Sequence, residues 1–321
     1  MKAYRVTAAG QRPSLVEVPA PQPGPGEVAV EIAACGLNFA DLLMVEGTYQ
    51  DTPPAPFTLG IELAGTVTAL GEGVAGLAAG DRVGVFGGRG GLAEAGCFPA
   101  DRCLQLPDAM PFHIAAAFLV AYGTSHLALA HRARLTTGER LVVTGAAGGV
   151  GLTAVELGAK LGAEVVAIAR GADKLEVART AGATHLIEAT SDDIRGQLKA
   201  LGGIDVLYDT VGDPLFGECF RAARPEARLL AIGFAGGKVP QIKANHLLVK
   251  NLTVSGLYWG GYMGFAPEVL TGSLKELMGL WETGGLDPHV SHRLPLDEID
   301  AAMELIRTRR STGKVVVEPR R

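Results

Sequence analysis

Two hydrophobic rhythms divide the chain. Through the first third, short β-branched runs alternate with polar positions and are spaced by glycine and proline, the period-two pattern of half-buried strands. Strands are predicted at residues 15–18, 27–32, 63–70 and 82–86, and the opening Met1-Lys2-Ala3-Tyr4-Arg5-Val6 has the same alternation. Pro19, Pro21, Pro23, Gly24, Pro25 and Gly26 separate the first two, because proline removes a donor and fixes φ. With turns at Gly71, Gly73, Gly76 and Gly80 and a helix at about 38–46, this third reads as a small barrel of antiparallel strands.

From Glu139 the rhythm becomes apolar strand, glycine turn, amphipathic helix and apolar strand again, the signature of a doubly wound α/β domain. Six strands are predicted, at 140–144, 164–169, 185–187, 205–208, 228–232 and 252–256, the number of a complete dinucleotide fold. The tail, with a helix at 267–283, a strand at 289–294, a helix at 296–308 and a strand at 314–317, is expected to return to the first domain. The Ala-rich stretch 112–130 is punctuated by His113, Tyr122, Thr124, Ser125 and His126, so it reads as one or two buried helices rather than a membrane span.

Composition adds limits. At 48% hydrophobic and 20% charged over 321 residues the chain is expected to be a soluble protein of two domains. Its 29 Lys and Arg are scattered among 34 Asp and Glu, so neither a nucleic-acid nor a membrane partner is expected. Cys35, Cys97, Cys103 and Cys219 show no C-x-x-C spacing, and the start lacks the apolar core of a signal peptide, which together imply a cytoplasmic protein with reduced thiols. The seven histidines show neither metal spacing nor an evident base partner.

Candidate chemistry concentrates at Gly145-Ala146-Ala147-Gly148-Gly149-Val150-Gly151, an A-x-G-x-x-G variant placed between a strand and a helix. Small residues there let the backbone approach a pyrophosphate, whose charge meets open amides and the helix dipole. The bland alternative is a tight strand-to-helix turn. No acid ends the second strand to take a ribose 2′-hydroxyl; Arg170 and Lys174 stand there instead and favour the 2′-phosphate of NADPH, with Asp173 as the counter-indication.

Several blocks in one order resemble the zinc-free quinone oxidoreductases of the medium-chain dehydrogenase/reductase superfamily, to which zeta-crystallin belongs. They are Ala34-Cys35-Gly36-Leu37-Asn38-Phe39-Ala40-Asp41, Glu46-Gly47-Thr48-Tyr49, Leu59-Gly60-Ile61-Glu62-Leu63-Ala64-Gly65, Gly80-Asp81-Arg82-Val83, the Ala146 to Gly151 turn, Tyr208-Asp209-Thr210-Val211-Gly212 and Thr312-Gly313-Lys314-Val315-Val316. The resemblance implies an α/β chain in which a Rossmann domain, 122–257, is inserted in a GroES-like β-barrel catalytic domain, 1–121 and 258–321. It also implies no metal: Asn38 stands where the zinc branch has a catalytic cysteine, Ile61 stands for the histidine before Glu62, and Cys97 and Cys103 lack the spacing of a structural zinc lobe.

By the same resemblance Asn38, Tyr49 and Thr124 form the catalytic set, with Tyr49 and Thr124 also facing the cofactor. Ala147, Gly148, Gly149 and Val150 line the pyrophosphate, Arg170 and Lys174 the adenosine end, and Ile232, Gly233, Phe234 and Ala235 the turn after the fifth strand. Leu257, Tyr258 and Trp259 follow the sixth, and Lys314 also touches the cofactor. Asn38 has a second reading as a helix N-cap, Tyr49 as a loop aromatic, and Thr124 as a helix residue bonding its own backbone. Two departures stand out: Ile187-Glu188-Ala189-Thr190 where some relatives carry Tyr or His, and Leu43 where some carry Tyr.

The implied activity is hydride transfer from NADPH to a quinone, in a homodimer joined through the edge formed by the sixth strand. One alternative is NADPH-dependent reduction of a 2-alkenal, enone or enoyl-thioester double bond. Another, of a different class, is a crystallin-like or RNA-binding protein, against which the intact glycine turn and the modest negative charge both argue.

Overall fold

Alternation in the first third produces strands that bury one face. Along Glu27–Gly36 the side chains of Val28, Val30, Ile32 and Ala34 are buried while Glu27, Ala29, Glu31 and Ala33 between them are half-exposed. The computed structural model describes residues 1–321, and their contacts divide them into two units, Met1–Val120 with Met278–Arg321, and Ala121–Leu277. The divisions fall inside the helices Phe112–His126 and Pro267–Glu282, and residues 258–277, expected in the first domain, group with the second unit.

In the first unit the strand order of the larger sheet is Val290–Pro295, Lys314–Glu318, Glu27–Gly36, Glu62–Leu70, Arg82–Val85 and Cys103–Gln105, with Ala95–Pro99 also on Glu27–Gly36. A smaller sheet joins Ser14–Glu17, Lys2–Val6 and Phe57–Thr58. The C-terminal strand lies on Glu27–Gly36, Val316 opposite Gly36 and Val317 opposite Cys35. The pairing of Val290–Pro295 with Lys314–Glu318 is parallel, because the helix Ile299–Arg307 between them acts as a crossover. Phe57–Thr58, Ala95–Pro99 and Cys103–Gln105 escape the periodicity because they are two to five residues long and one contains Gly96 and Pro99.

The second unit holds six parallel strands in the order His185–Glu188, Glu164–Ala169, Arg140–Thr144, Ile204–Asp209, Ala223–Ala231 and Thr253–Gly256. That is the third, second, first, fourth, fifth and sixth strand, the dinucleotide-binding arrangement. The fifth begins five residues before its predicted start, at Ala223, since Arg224, Pro225 and Glu226 are exposed and mask its apolar signal. The central strands are buried on both faces, as parallel strands covered by helices must be. The Ala-rich stretch is a helix, Phe112–His126, running into a π-helical turn, Leu127–Arg132; together they have the length and hydropathy of a membrane span, with 72% of the apolar window buried in protein.

Candidate active-site segments

The strand Arg140–Thr144 ends at Gly145, whose φ of +61° favours glycine and whose Cβ, if present, would stand 2.4 Å from Thr210 Oγ1. A Cβ on Gly151 would lie 2.2 Å from the carbonyl oxygen of Gly145, so the last glycine of the motif is what lets the helix Gly149–Lys160 fold back on the turn. The helical ladder begins with Leu152 N–H on the Gly148 carbonyl at 2.8 Å. The amides of Gly149, Val150 and Gly151 therefore lie ahead of the ladder at the positive end of the helix. Ala147 is buried beside them, and Ala146 N–H donates to the Ile168 carbonyl at 3.1 Å, setting the turn against the end of the second strand.

Neutral donors stitch the turn to its neighbours. Val150 O accepts from Ser125 Oγ at 2.9 Å and Thr153 Oγ1 at 3.0 Å, and Ser125 Oγ meets the Tyr208 hydroxyl at 2.9 Å. Thr144 Oγ1 donates to Asp209 Oδ1 at 2.5 Å, while Gly212 N–H donates to Oδ2 at 2.9 Å. Burial nevertheless raises the Asp209 pKa, against the pull of these donors. Ile232 and Gly233 donate their N–H groups to the Asp209 carbonyl and Ala235 to that of Thr210, so the segment Ile232 to Ala235 is tied to the Asp209-Thr210 turn, with Phe234 left partly exposed.

Thr124 is buried next to Ser125. The Trp259 indole packs on the backbone at Gly123, where an added Cβ would stand 2.7 Å from Nε1, and Leu257 N–H donates to Ala231 O at 3.2 Å. The structure thus brings Thr124, Leu257, Tyr258 and Trp259 to one region of the second unit. Arg170 is exposed and Lys174 half-buried, either side of Gly171, the N-cap of the helix Ala172–Thr180.

In the first unit the outcome is different. Lys314, 4% exposed, donates to Leu37 O at 2.8 Å, Asn38 Oδ1 at 2.8 Å and Glu62 Oε1 at 2.7 Å. Those three acceptors use all three protons of its ammonium. Asn38 Nδ2 donates to Gly36 O at 3.1 Å and to Glu62 Oε1 at 2.9 Å, and Glu62 Oε2 accepts Val120 N–H at 2.9 Å. Asn38 also sits at the N-cap of the helix Phe39–Glu46, but its side chain does not cap: its own N–H donates to Asp41 Oδ2 at 2.8 Å. Asp41 takes Gly60 N–H as well, at 3.2 Å, and burial pushes its pKa up to about 6.

Asn38 and Lys314 are therefore joined in one network, whereas Tyr49 lies on the loop beyond Gly47, half-buried on the core. Burial, helped by Asp51 and Asp41, pushes the Tyr49 phenol up to about 12, so it is protonated at neutral pH and a weaker acid than an ordinary tyrosine. Sequence reasoning missed the partners Glu62 and Asp41 as site residues. Their signal was present as acidic side chains inside the apolar runs around Leu59 to Leu63 and Phe39 to Leu43.

A model described as the alcohol dehydrogenase GroES-like domain matches residues 24–108, and one described as zinc-binding dehydrogenase matches residues 149–276. A quinone oxidoreductase-like protein 2 homolog of Nematostella vectensis is 38% identical over 300 residues, covering 92% of this chain and 82% of the relative. The Escherichia coli quinone oxidoreductase, solved with NADPH, superposes with a TM-score of 0.93 at 28% identity, over 99% of this chain and 100% of that one. A mycobacterial protein, also solved with NADPH, gives 0.94 at 28% identity with the same coverage.

Proposed function

The chain belongs to the zinc-free quinone oxidoreductase family of the medium-chain dehydrogenase/reductase superfamily, and from that premise we propose that it reduces quinones with NADPH by hydride transfer without a metal. The observation that carries the metal-independent reading is the Lys314 ammonium on Glu62: the carboxylate that the Asn38 side chain contacts is already neutralised, and both its oxygens hold N–H donors. A divalent cation there would have to displace a buried ion pair.

The glycine turn fits a dinucleotide. Gly148 adds no side chain beside the turn, where a Cβ would stand 3.3 Å from the Gly145 carbonyl oxygen, and the amides of Gly149, Val150 and Gly151 suit a pyrophosphate. In this reading Arg170 and Lys174 meet the 2′-phosphate, Ile232, Gly233, Phe234 and Ala235 with Leu257, Tyr258 and Trp259 line the cofactor, and Thr124 holds the ribose or carboxamide. When bound, NADPH supplies the hydride. Tyr49, held protonated, donates a hydrogen bond to the acceptor oxygen as charge develops there, and the proton that completes reduction comes from water. Asn38 acts by holding Lys314 and Glu62 rather than by donating to the acceptor, because both its amide protons are engaged.

The test is NADPH oxidation against 9,10-phenanthrenequinone, 1,4-benzoquinone and a small enal, with NADH in parallel and a chelator present. Quinone-dependent, chelator-insensitive turnover is expected. Turnover confined to the enal transfers the assignment to double-bond reduction, and chelator-sensitive turnover removes the metal-independent claim. We also propose a homodimer joined at the strand Thr253–Gly256, which ends the parallel sheet and is preceded by the exposed Leu248 and Val249. Sedimentation showing only a 33.2 kDa species at micromolar concentration refutes it.

A further inference from the structure

The second parallel strand ends at Ala169 without an acid, yet the fold supplies one from the neighbouring strand. Ala169 pairs with Glu188 in the ladder between Glu164–Ala169 and His185–Glu188. Glu188 Oε2 accepts the N–H of Gly171, two residues past the end of the second strand, at 2.8 Å. Its other oxygen takes Thr190 N–H at 3.2 Å and Thr190 Oγ1 at 3.1 Å. The same strand end abuts the glycine turn through Ala146 N–H on Ile168 O. The Gly171 amide first, and then the Thr190 donors, hold the Glu188 carboxyl below the usual carboxylate range, so it is an anion at neutral pH.

Dinucleotide folds place the acid that reads the ribose 2′-hydroxyl at the end of the second strand. We propose that Glu188 takes that place from the third strand and sets the cofactor discrimination of this chain. Each carboxylate oxygen offers two acceptor directions, and Gly171 uses one of those on Oε2. The remaining direction takes the 2′-hydroxyl of NADH, whereas the 2′-phosphate of NADPH brings a second anion to the carboxylate. Arg170 and Lys174, at the same turn, favour the phosphate. Preference for NADPH is thus set by the two cations against the Glu188 carboxylate, with Asp173 the other acid at the turn, and it is smaller than the basic pair alone would give. The inference rests on the NADPH reading above and deepens it.

The experiment compares the full-length wild type with Glu188→Gln and Glu188→Ala, measuring kcat and KM with NADPH and NADH and the Kd of each cofactor by its fluorescence. Glutamine keeps an oxygen for the Gly171 amide and removes the charge. The ratio of kcat/KM for NADPH to that for NADH is expected to rise about five-fold or more in Glu188→Gln, through KM with kcat little changed. The gap between wild type and variant should shrink in about 0.5 M salt, where the Debye length falls to a few ångströms. A ratio unchanged in Glu188→Gln overturns the inference, and so does a change seen in Glu188→Ala alone, which would leave the carboxylate only a loop-holding role. Binding of neither cofactor by the wild type overturns the cofactor reading and this inference together, whereas tight NADPH binding with an unmoved ratio overturns this inference alone.

Discussion

The two units each bury a carboxylate at a candidate site, and they treat it differently. In the second unit Asp209 is met by neutral donors, the Thr144 hydroxyl and the amides of Val211 and Gly212, within a turn whose other contacts are backbone and hydroxyl groups. In the first unit Glu62 is fully buried against an ammonium that is almost as deeply buried, with Asp41 near by. The contrast separates two ways of fixing a site. Neutral hydrogen bonds to a buried group each contribute about 1 kcal/mol net, and a partner lost so that a buried group is left unsatisfied costs about 1–3 kcal/mol. A buried ion pair contributes little over an apolar replacement, but removing one half strands a charge and costs about 3–5 kcal/mol.

The largest effect expected is therefore at Lys314. Lys314→Met should lower unfolding free energy by about 3–5 kcal/mol in chemical denaturation, and adding Glu62→Gln should restore part of it, because the stranded charge disappears. A loss below about 1 kcal/mol, or no recovery in the double variant, would break the contrast. The next effect comes from pH. Asp41 has its folded pKa raised to about 6, so the folded state holds its proton more tightly than the unfolded chain. Its contribution is complete below about pH 4 and is lost as pH rises through about 6, a change of about 3 kcal/mol. Stability of the wild type minus that of Asp41→Asn should fall across this window and level off above it; a flat difference removes the burial argument.

In the second unit the strongest expected effect is steric. Gly151→Ala places a methyl group 2.2 Å from the Gly145 carbonyl oxygen, and shifting the turn to relieve it should cost about 1–3 kcal/mol. NADPH affinity, read by fluorescence titration, should drop at least about ten-fold if, as proposed, the amides that move with the turn meet the pyrophosphate. Wild-type affinity in this variant would show that the turn does not position the cofactor.

These differences also explain what the sequence could reveal. The glycine turn and six parallel strands were legible because they are local: small residues between a strand and a helix fix the backbone whatever surrounds them. The Lys314 network was not, since it joins positions 38, 62 and 314 through side chains on three separate strands and turns. Reading Lys314 as a cofactor contact followed from its motif, while the structure shows its three protons engaged within the first unit. Glu188 was masked for a similar reason, because rules based on the second strand do not register an acid presented by the third. Short strands such as Phe57–Thr58 carry too few residues for any period to register.

The smallest effect expected tests the neutral side of the contrast. The buried Tyr208 hydroxyl meets Ser125 Oγ, and Ser125 in turn reaches Val150 O in the first turn of the glycine-turn helix. Tyr208→Phe removes one hydroxyl but leaves Ser125 able to donate to Val150, so a loss of about 1 kcal/mol is expected. Ser125→Ala instead leaves the Tyr208 hydroxyl buried without its partner and should cost more, up to about 3 kcal/mol, with the double variant recovering part of that loss because the orphaned hydroxyl is then gone. Since no charge is stranded in either case, both losses should be insensitive to pH between 5 and 8. A Tyr208→Phe loss as large as that of Lys314→Met would mean that hydroxyl networks and ion pairs fix the two units equally, and the distinction between them would fall.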